Sequence, residues 1–228
     1  MSEAFAAEQE RMTFPSTSEV DPTLNDAEVR VLASLIEKES TTPEYYPLSL
    51  NALMLACNQK SNRDPVVSYD ENTVREAVES LRGKRLVRSA AGSRVVKYEH
   101  SFLEVFNVGR RELALLCTLM LRGPQTLGEL RDRSERMRSF SDLEEVEACL
   151  EGLMRLEPRA LAKRLARQPG TKEPRYMHLL TGDAEPSIPP TRQAAEGAIS
   201  LEEQVESLRR ELHELREEFS RFRRQFEG

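Results

Sequence analysis

The sequence predicts a mainly α-helical protein with small β wings. Its plan is tandem winged-helix (helix-turn-helix) domains followed by a C-terminal coiled-coil helix. Three observations carry this reading. One order of elements occurs twice: an apolar-periodic helix, a short second helix, a third helix and a basic two-stranded hairpin run from about Leu24 to Glu104, and the same order returns from about Val108 to Thr181. The two copies share spacings, since Val74, Val78 and Leu81 recur as Val146, Leu150 and Leu153, and Lys97-Tyr98-Glu99-His100 recurs as Arg175-Tyr176-Met177-His178. Three helices and a hairpin in about 75 residues is the winged-helix plan. The third observation is an unbroken heptad pattern near the C-terminus.

The expected organisation is a disordered tail at 1–22, winged-helix domains at 23–104 and 108–181, a linker at 182–197 and a coiled coil at 198–227. In the first domain, Asn25 or Asp26 caps the first helix, with Glu28 in its first turn. Its buried stripe is Val29, Leu32, Leu35 and Ile36. Pro47 opens the second helix, whose inner face is Leu50, Leu53, Met54 and Cys57. Asp70, or Ser68 with Glu71, starts the third helix and Gly83 stops it; Leu86-Val87 and Val95 to Tyr98 form the wing. In the second domain, Thr126 caps the second helix, and Ser141 with Glu144 is read as the capping box of the third. Leu161 to Arg167 and Tyr176 to Leu180 are the wing strands.

In the tail, Leu201, Val205, Leu208, Leu212, Leu215, Phe219, Phe222 and Phe226 alternate four and three apart. With Val205, Leu212 and Phe219 at a, the g residues Glu211 and Glu218 face e residues Arg216 and Arg223 only in a parallel pair. This predicts a homodimer through the tail. The alternative is one amphipathic helix folding back on its own chain.

Composition narrows the function. At 228 residues there is room for two small domains plus tails. The absence of Trp and 6% aromatics argue against a large β-sandwich or a sugar-binding groove. No apolar run approaches the roughly 18–20 residues that span a bilayer, and the first residues lack the basic and apolar regions of a signal peptide, so no membrane is expected and a cytoplasmic location is. Cys57, Cys117 and Cys149 fall on apolar helical stripes and read as buried, reduced thiols. The net charge of −6 opposes bulk attraction to nucleic acid. The acid sits mainly in the tails: residues 25–104 carry 11 basic and 12 acidic side chains, and residues 109–181 carry 14 and 11.

No enzyme is expected. The three His residues are far apart, no nucleotide or hydrolase motif is present, and no spacing suits a metal or cofactor. Double-stranded DNA is the natural ligand of the plan, through a helix that offers amides and cations to base edges and a wing that reaches phosphates. The first copy supplies Asn72, Thr73, Arg75 and Arg82 outward on the third helix, and Lys84, Arg85, Arg88, Arg94 and Lys97 on or beside the wing. Glu71, Glu76 and Glu79 share that helix. The second copy opposes Asp142, Glu144, Glu145, Glu147 and Glu151 to a lone Arg155, and its cations lie before the helix (Arg131, Arg133, Arg136, Arg138) and on the wing (Arg164, Arg167, Lys172, Arg175). A further polar stretch, Asn58, Gln59, Lys60, Ser61, Asn62 and Arg63, stands between the second and third helices. It fixes the loop by side-chain bonds to backbone, or it contacts a ligand or nucleic acid.

Thr41-Thr42-Pro43-Glu44-Tyr45-Tyr46-Pro47-Leu48-Ser49-Leu50-Asn51-Ala52-Leu53, continuing through Ala56-Cys57-Asn58-Gln59-Lys60-Ser61-Asn62-Arg63-Asp64-Pro65-Val66, resembles the YceH family of bacterial proteins. The resemblance covers about residues 24–181 and extends to the Leu-rich tail. It implies a tandem winged-helix fold and a cytoplasmic bacterial protein. The family is one of unknown function, so no activity and no catalytic or ligand residue carries over. The residues themselves point to a non-enzymatic, regulatory nucleic-acid-binding protein. The rival reading is a protein-interaction scaffold whose winged helices dock a protein partner instead of DNA.

Overall fold

The computed structural model describes residues 23–91, 95–167 and 173–183. The expected tail at 1–22, the linker beyond 183, the coiled coil at 198–227 and the wing residues Arg94 and Lys172 lie outside the described residues.

The chain is mainly helical with two small antiparallel sheets. Helix α1 (Asp26–Thr41) starts at a capping box in which the Asn25 side chain accepts from Glu28 N and the Glu28 carboxylate accepts from Asn25 N. A 3-10 turn, Pro43–Tyr45, leads to strand β1 (Leu48–Ser49) and helix α2 (Leu50–Cys57). Helix α3 (Glu71–Gly83) is followed by β2 (Val87–Ala90), β3 (Lys97–His100) and the short α4 (Phe102–Phe106). The second half holds α5 (Arg110–Arg122), α6 (Leu127–Ser134), α7 (Leu143–Met154), β4 (Ala162–Arg164) and β5 (Tyr176–His178).

The repeat seen in the sequence extends to hydrogen bonds. Val74, Val78 and Leu81 of α3 are fully buried, as are Val146 and Leu150 of α7, with Leu153 at 1% exposure. Leu48 pairs with Tyr98, and Gln125 forms an isolated bridge with Tyr176. Leu48 and Gln125 each stand one residue before the cap of their half's second helix, Ser49 and Thr126. Ser101 N donates to Leu86 O at 2.9 Å, and Leu179 N donates to Leu161 O at 2.8 Å. The two sheets stay separate, in the orders β1-β3-β2 and β4-β5.

The halves share one continuous core. Helix α1 packs on α2 and α3 of its own half and on α5 of the other. That two-sided packing buries every residue from Glu28 to Glu37, polar ones included. Cys117 Sγ donates to Ala33 O at 3.3 Å across the α1–α5 contact, and Leu24 N donates to Leu180 O at 2.7 Å, joining the start of the first half to the end of the second.

Several boundaries differ from the sequence reading. Pro47 does not open α2. Leu48–Ser49 first pairs with Lys97–Tyr98 as an edge strand, and Ser49 then caps the helix. Helix α3 ends at Gly83 as expected, but the glycine is not the residue that turns the chain. The chain turns at Arg85, with φ at 59°, where Leu86 N bonds Leu81 O and Arg85 N bonds Arg82 O, the paired bonds of a Schellman ending. Asp142, one residue later than expected, caps α7 by accepting from Glu145 N, while Ser141 bonds the Glu145 carboxylate. Val95 and Val96 precede β3 and are exposed, because the register turns Tyr98 and His100 inward. The second hairpin is shorter than Leu161 to Arg167 and Tyr176 to Leu180. Helix α4 is one turn with no side-chain cap bond and was not expected; the Phe102 and Phe106 rings stack in the core at 4.4 Å between centroids.

Candidate nucleic-acid interface and the polar loop

The residues expected to meet DNA form a continuous stretch of the first half, running along the outer face of α3, through the turn at Arg85 and onto the β2–β3 hairpin. Asn72 is exposed, and Thr73 N is held by the Asp70 cap. Arg75 is ion-paired with Glu71, and Arg82 holds both oxygens of Glu79 at 2.9 and 3.0 Å. All four of these charged side chains are about half exposed, so each pair contributes only about 0–1 kcal/mol and yields readily to a competing anion. Arg88, cross-strand from Glu99, donates to it at 2.6 Å and reaches Glu104. Its guanidinium lies above the ordinary value because of the Glu99 hydrogen bond.

Lys84 has a different role from the expected one. Its ammonium bonds both oxygens of the buried Glu28 at 2.8 Å and Thr23 O at 3.1 Å, so it neutralises a carboxylate that cannot reach water. Burial alone would raise the Glu28 carboxyl; the Lys84 and Ser80 hydrogen bonds more than reverse this, and it lies below its ordinary value. Arg85 is exposed and Lys97 half-buried, and neither has an acidic partner among the described residues.

The polar loop is mostly turned inward. Arg63 is buried and grips the buried Glu37 with two bonds, 3.0 and 2.5 Å, while also donating to Ala56 O and Gln59 Oε1. Arg136, from the end of α6, reaches the same carboxylate. Burial would raise Glu37; the Arg63 hydrogen bond, with the charges of Arg63, Arg136 and Lys38, brings it below the ordinary value instead. The Asn58 amide both donates to Tyr69 O and accepts from Tyr69 N at 2.8 Å. Asn62, at φ 58°, accepts from Arg122. Lys60 and Ser61 alone of the six are exposed. The loop spans the 13 residues between α2 and α3, far longer than the turn of three or four in a tight helix-turn-helix.

Side-chain bonds to backbone fix the loop, as the first of the two readings has it; the Glu37–Arg63–Arg136 network escaped the sequence reading. Its visible signal was the near-continuous apolar run Val29 to Ile36, which implies a helix buried on more than one side and so a need for partners to Arg30 and Glu37.

In the second half, the outer face of α7 is acidic, with Glu145 held by Arg111 and Glu151 by Arg155. Its cations are dispersed. Lys163 and Arg164, with Arg159, line a shallow cavity of about 540 Å³ beside β4, where Lys163 pairs with Asp183 at 2.6 Å. Cys57 and Cys117 are buried and Cys149 partly so; burial pushes the Cys57 thiol up to about 11. Among the described residues, no cluster of three metal-ligating side chains occurs and no helix is long and apolar enough to cross a membrane.

Comparison with known proteins places this geometry in a family. The model described as "Protein of unknown function, DUF480" matches residues 24–171, and the chain belongs to that family. A UPF0502 protein of Citrifermentans bemidjiense is 53% identical over 193 residues, spanning 84% of this chain and 89% of the relative. One from Solibacter usitatus is 51% identical over 209 residues, 91% of this chain and 100% of the relative. The stretch 41–66, which carried the resemblance in the sequence, lies inside the matched range.

Proposed function

We propose that the chain is a cytoplasmic, non-enzymatic tandem winged-helix protein that binds double-stranded DNA in a regulatory role through the first half. The observation that carries this is Arg85. A long cationic side chain stands exposed in the left-handed region, at the joint between α3 and the hairpin, with no acidic partner among the described residues. That left-handed residue makes the Schellman ending of α3 and so sets a cation between the helix and the hairpin. Arg88 and Lys97 continue the cationic line along the hairpin. Phosphate contact is the main source of affinity in this reading, and base readout by Asn72 and Arg75 is secondary.

The test is binding of the full chain to random duplex DNA across a salt series. Contacts from Arg85, Arg88 and Lys97 predict a log–log slope of about −3. Arg88→Gln with Lys97→Gln should flatten it for all sequences, while replacing Asn72 should alter sequence preference. No binding at low salt overturns the reading.

A second reading, a scaffold for a protein partner, is favoured by the acidic outer face of α7, which repels phosphate. We also propose that residues 198–227 pair two chains in parallel. Light scattering of a chain ending near residue 184 checks this, and a dimer that survives the truncation places the contact elsewhere.

A further inference from the structure

The seam between the polar loop and the α5–α6 segment carries more positive charge than its carboxylates balance. Lys38, Arg63, Arg122, Arg133 and Arg136 gather there around Glu37, Asp64 and Glu129, an excess of two. Their proximity is fixed by bonds. Lys38 and Arg63 share Gln59 Oε1 at 3.4 and 3.3 Å, Arg122 reaches Asn62, and Arg133 holds Gln125 at 2.9 Å and Glu129 at 3.1 Å. Asp64 N donates to Leu121 O at 2.9 Å and anchors the loop to the end of α5.

Two features distinguish this cluster from a satisfied structural network. Glu37 is already neutralised by a two-bond grip from the fully buried Arg63, so Arg136, about one-third exposed, is surplus to that need. Arg63 and Arg122 each keep a buried Nε–H with no acceptor among the described residues, and buried donors strongly favour an acceptor. Burial first, then the charge of Arg133, holds the Arg122 guanidinium below its ordinary value. An added anion relieves that repulsion.

We propose that this seam is a binding site for a phosphate group, gripped by Arg122, Arg133 and Arg136 with Lys38 and Asn62 at its edge. Guanidinium forks match phosphate oxygens in pairs. The site joins both halves, so its ligand strengthens their contact. The phosphate belongs either to a small phosphorylated molecule or to a nucleic-acid backbone. The proposal does not rest on the hairpin reading, because the first probe contains no DNA.

The test is the thermal midpoint of the full chain titrated with inorganic pyrophosphate, against sodium chloride at equal ionic strength. The site predicts a saturable rise. Arg122→Gln and Arg133→Gln, which leave the Glu37–Arg63 grip intact, should weaken it about tenfold each, as for loss of one charged hydrogen bond. Arg88→Gln with Lys97→Gln should leave it unchanged. No saturable rise, or an equal rise in the Arg122 and Arg133 variants, overturns the site. Competition then names the source. Displacement of a labelled duplex by pyrophosphate from the native chain but not from Arg122→Gln supports the backbone; saturation without displacement supports a small molecule.

Discussion

The two halves bury the same stations and present opposite surfaces. In each, a third helix inserts three apolar residues at spacings of four and three, and a tyrosine strand pairs with the residue before the second helix's cap. Outside the core the likeness ends. Helix α3 alternates signs, with Glu71 against Arg75 and Glu79 against Arg82, and passes into the Arg85 turn and a cationic hairpin. Helix α7 offers Glu144 and Glu147, and its basic residue Arg155 is paired with Glu151. Packing constrains the inner face of a duplicated unit, whereas solvent leaves the outer face free to change role. The proposed contact with a DNA backbone follows this difference: its cations lie on α3, the Arg85 turn and the hairpin, whereas the outer face of α7 presents carboxylates.

The equivalent histidines show the same divergence inside the fold. His100 is satisfied on both sides: Phe102 N donates to Nδ1 at 3.2 Å, and Nε2 lies 3.2 Å from Glu39. That geometry selects the tautomer with the proton on Nε2. His178 has a buried Nδ1 with no partner among the described residues, and burial lowers it to about 4.

The largest expected effect tests whether the halves are one cooperative body. Arg63→Ala leaves Glu37 buried with Arg136 as its remaining guanidinium partner, and breaking a buried pair from one side costs about 3–5 kcal/mol. Because α1 packs on both halves, urea unfolding followed by circular dichroism should shift as a single transition. Two separated transitions, with only the first moved, would show that the halves fold apart and that the comparison is between independent domains.

How far the sequence told this in advance depends on the range of each interaction. The inner faces of α3 and α7 were legible because their spacing is local and repeated. So was the start of α1, narrowed to a cap at Asn25 or Asp26 with Glu28 in the first turn; the structure settles it as a capping box of Asn25 and Glu28. Strand β1 was hidden because two residues carry no period, and its partner lies about 50 residues away. The role of Arg63 depends on Glu37, 26 residues earlier, and on Arg136, 73 later. Lys84 read as a wing cation because the burial of Glu28 follows from tertiary packing alone. Arg85 was singled out for its charge, while its left-handed backbone is visible only in the structure.

A pH series tests the surroundings of His178 at an intermediate scale. The folded-state value of His178 is depressed from 6.5 to about 4. Between those values the unfolded chain binds more protons than the folded one, so stability falls as pH drops through this window. The slope is up to about 1.4 kcal/mol per pH unit. His178→Asn should remove that part of the slope. Glu37 and Glu28, both depressed, add their own loss below about 4.5. An unchanged slope in His178→Asn would show that its ring is charged or solvated in the folded state.

The smallest effect probes the surface difference directly. If acid on α7 is what keeps the second half from DNA, Glu144→Lys with Glu147→Lys removes two repulsive charges and adds two attractive ones. Neither residue has an ion-pair partner among the described residues and both lie away from Val146 and Leu150, so stability should fall by no more than about 1 kcal/mol, mainly at Glu144, which stands in the first turn of α7 where the helix dipole favours negative charge. Two new phosphate contacts would steepen the salt slope by up to about 2 and tighten binding at low salt. That outcome places α7 beside the duplex and makes its native acidity a device that limits contact to the first half. An unchanged slope, in a protein whose binding still depends on Arg88 and Lys97, places α7 away from the duplex and leaves its acidic face available to a basic protein partner.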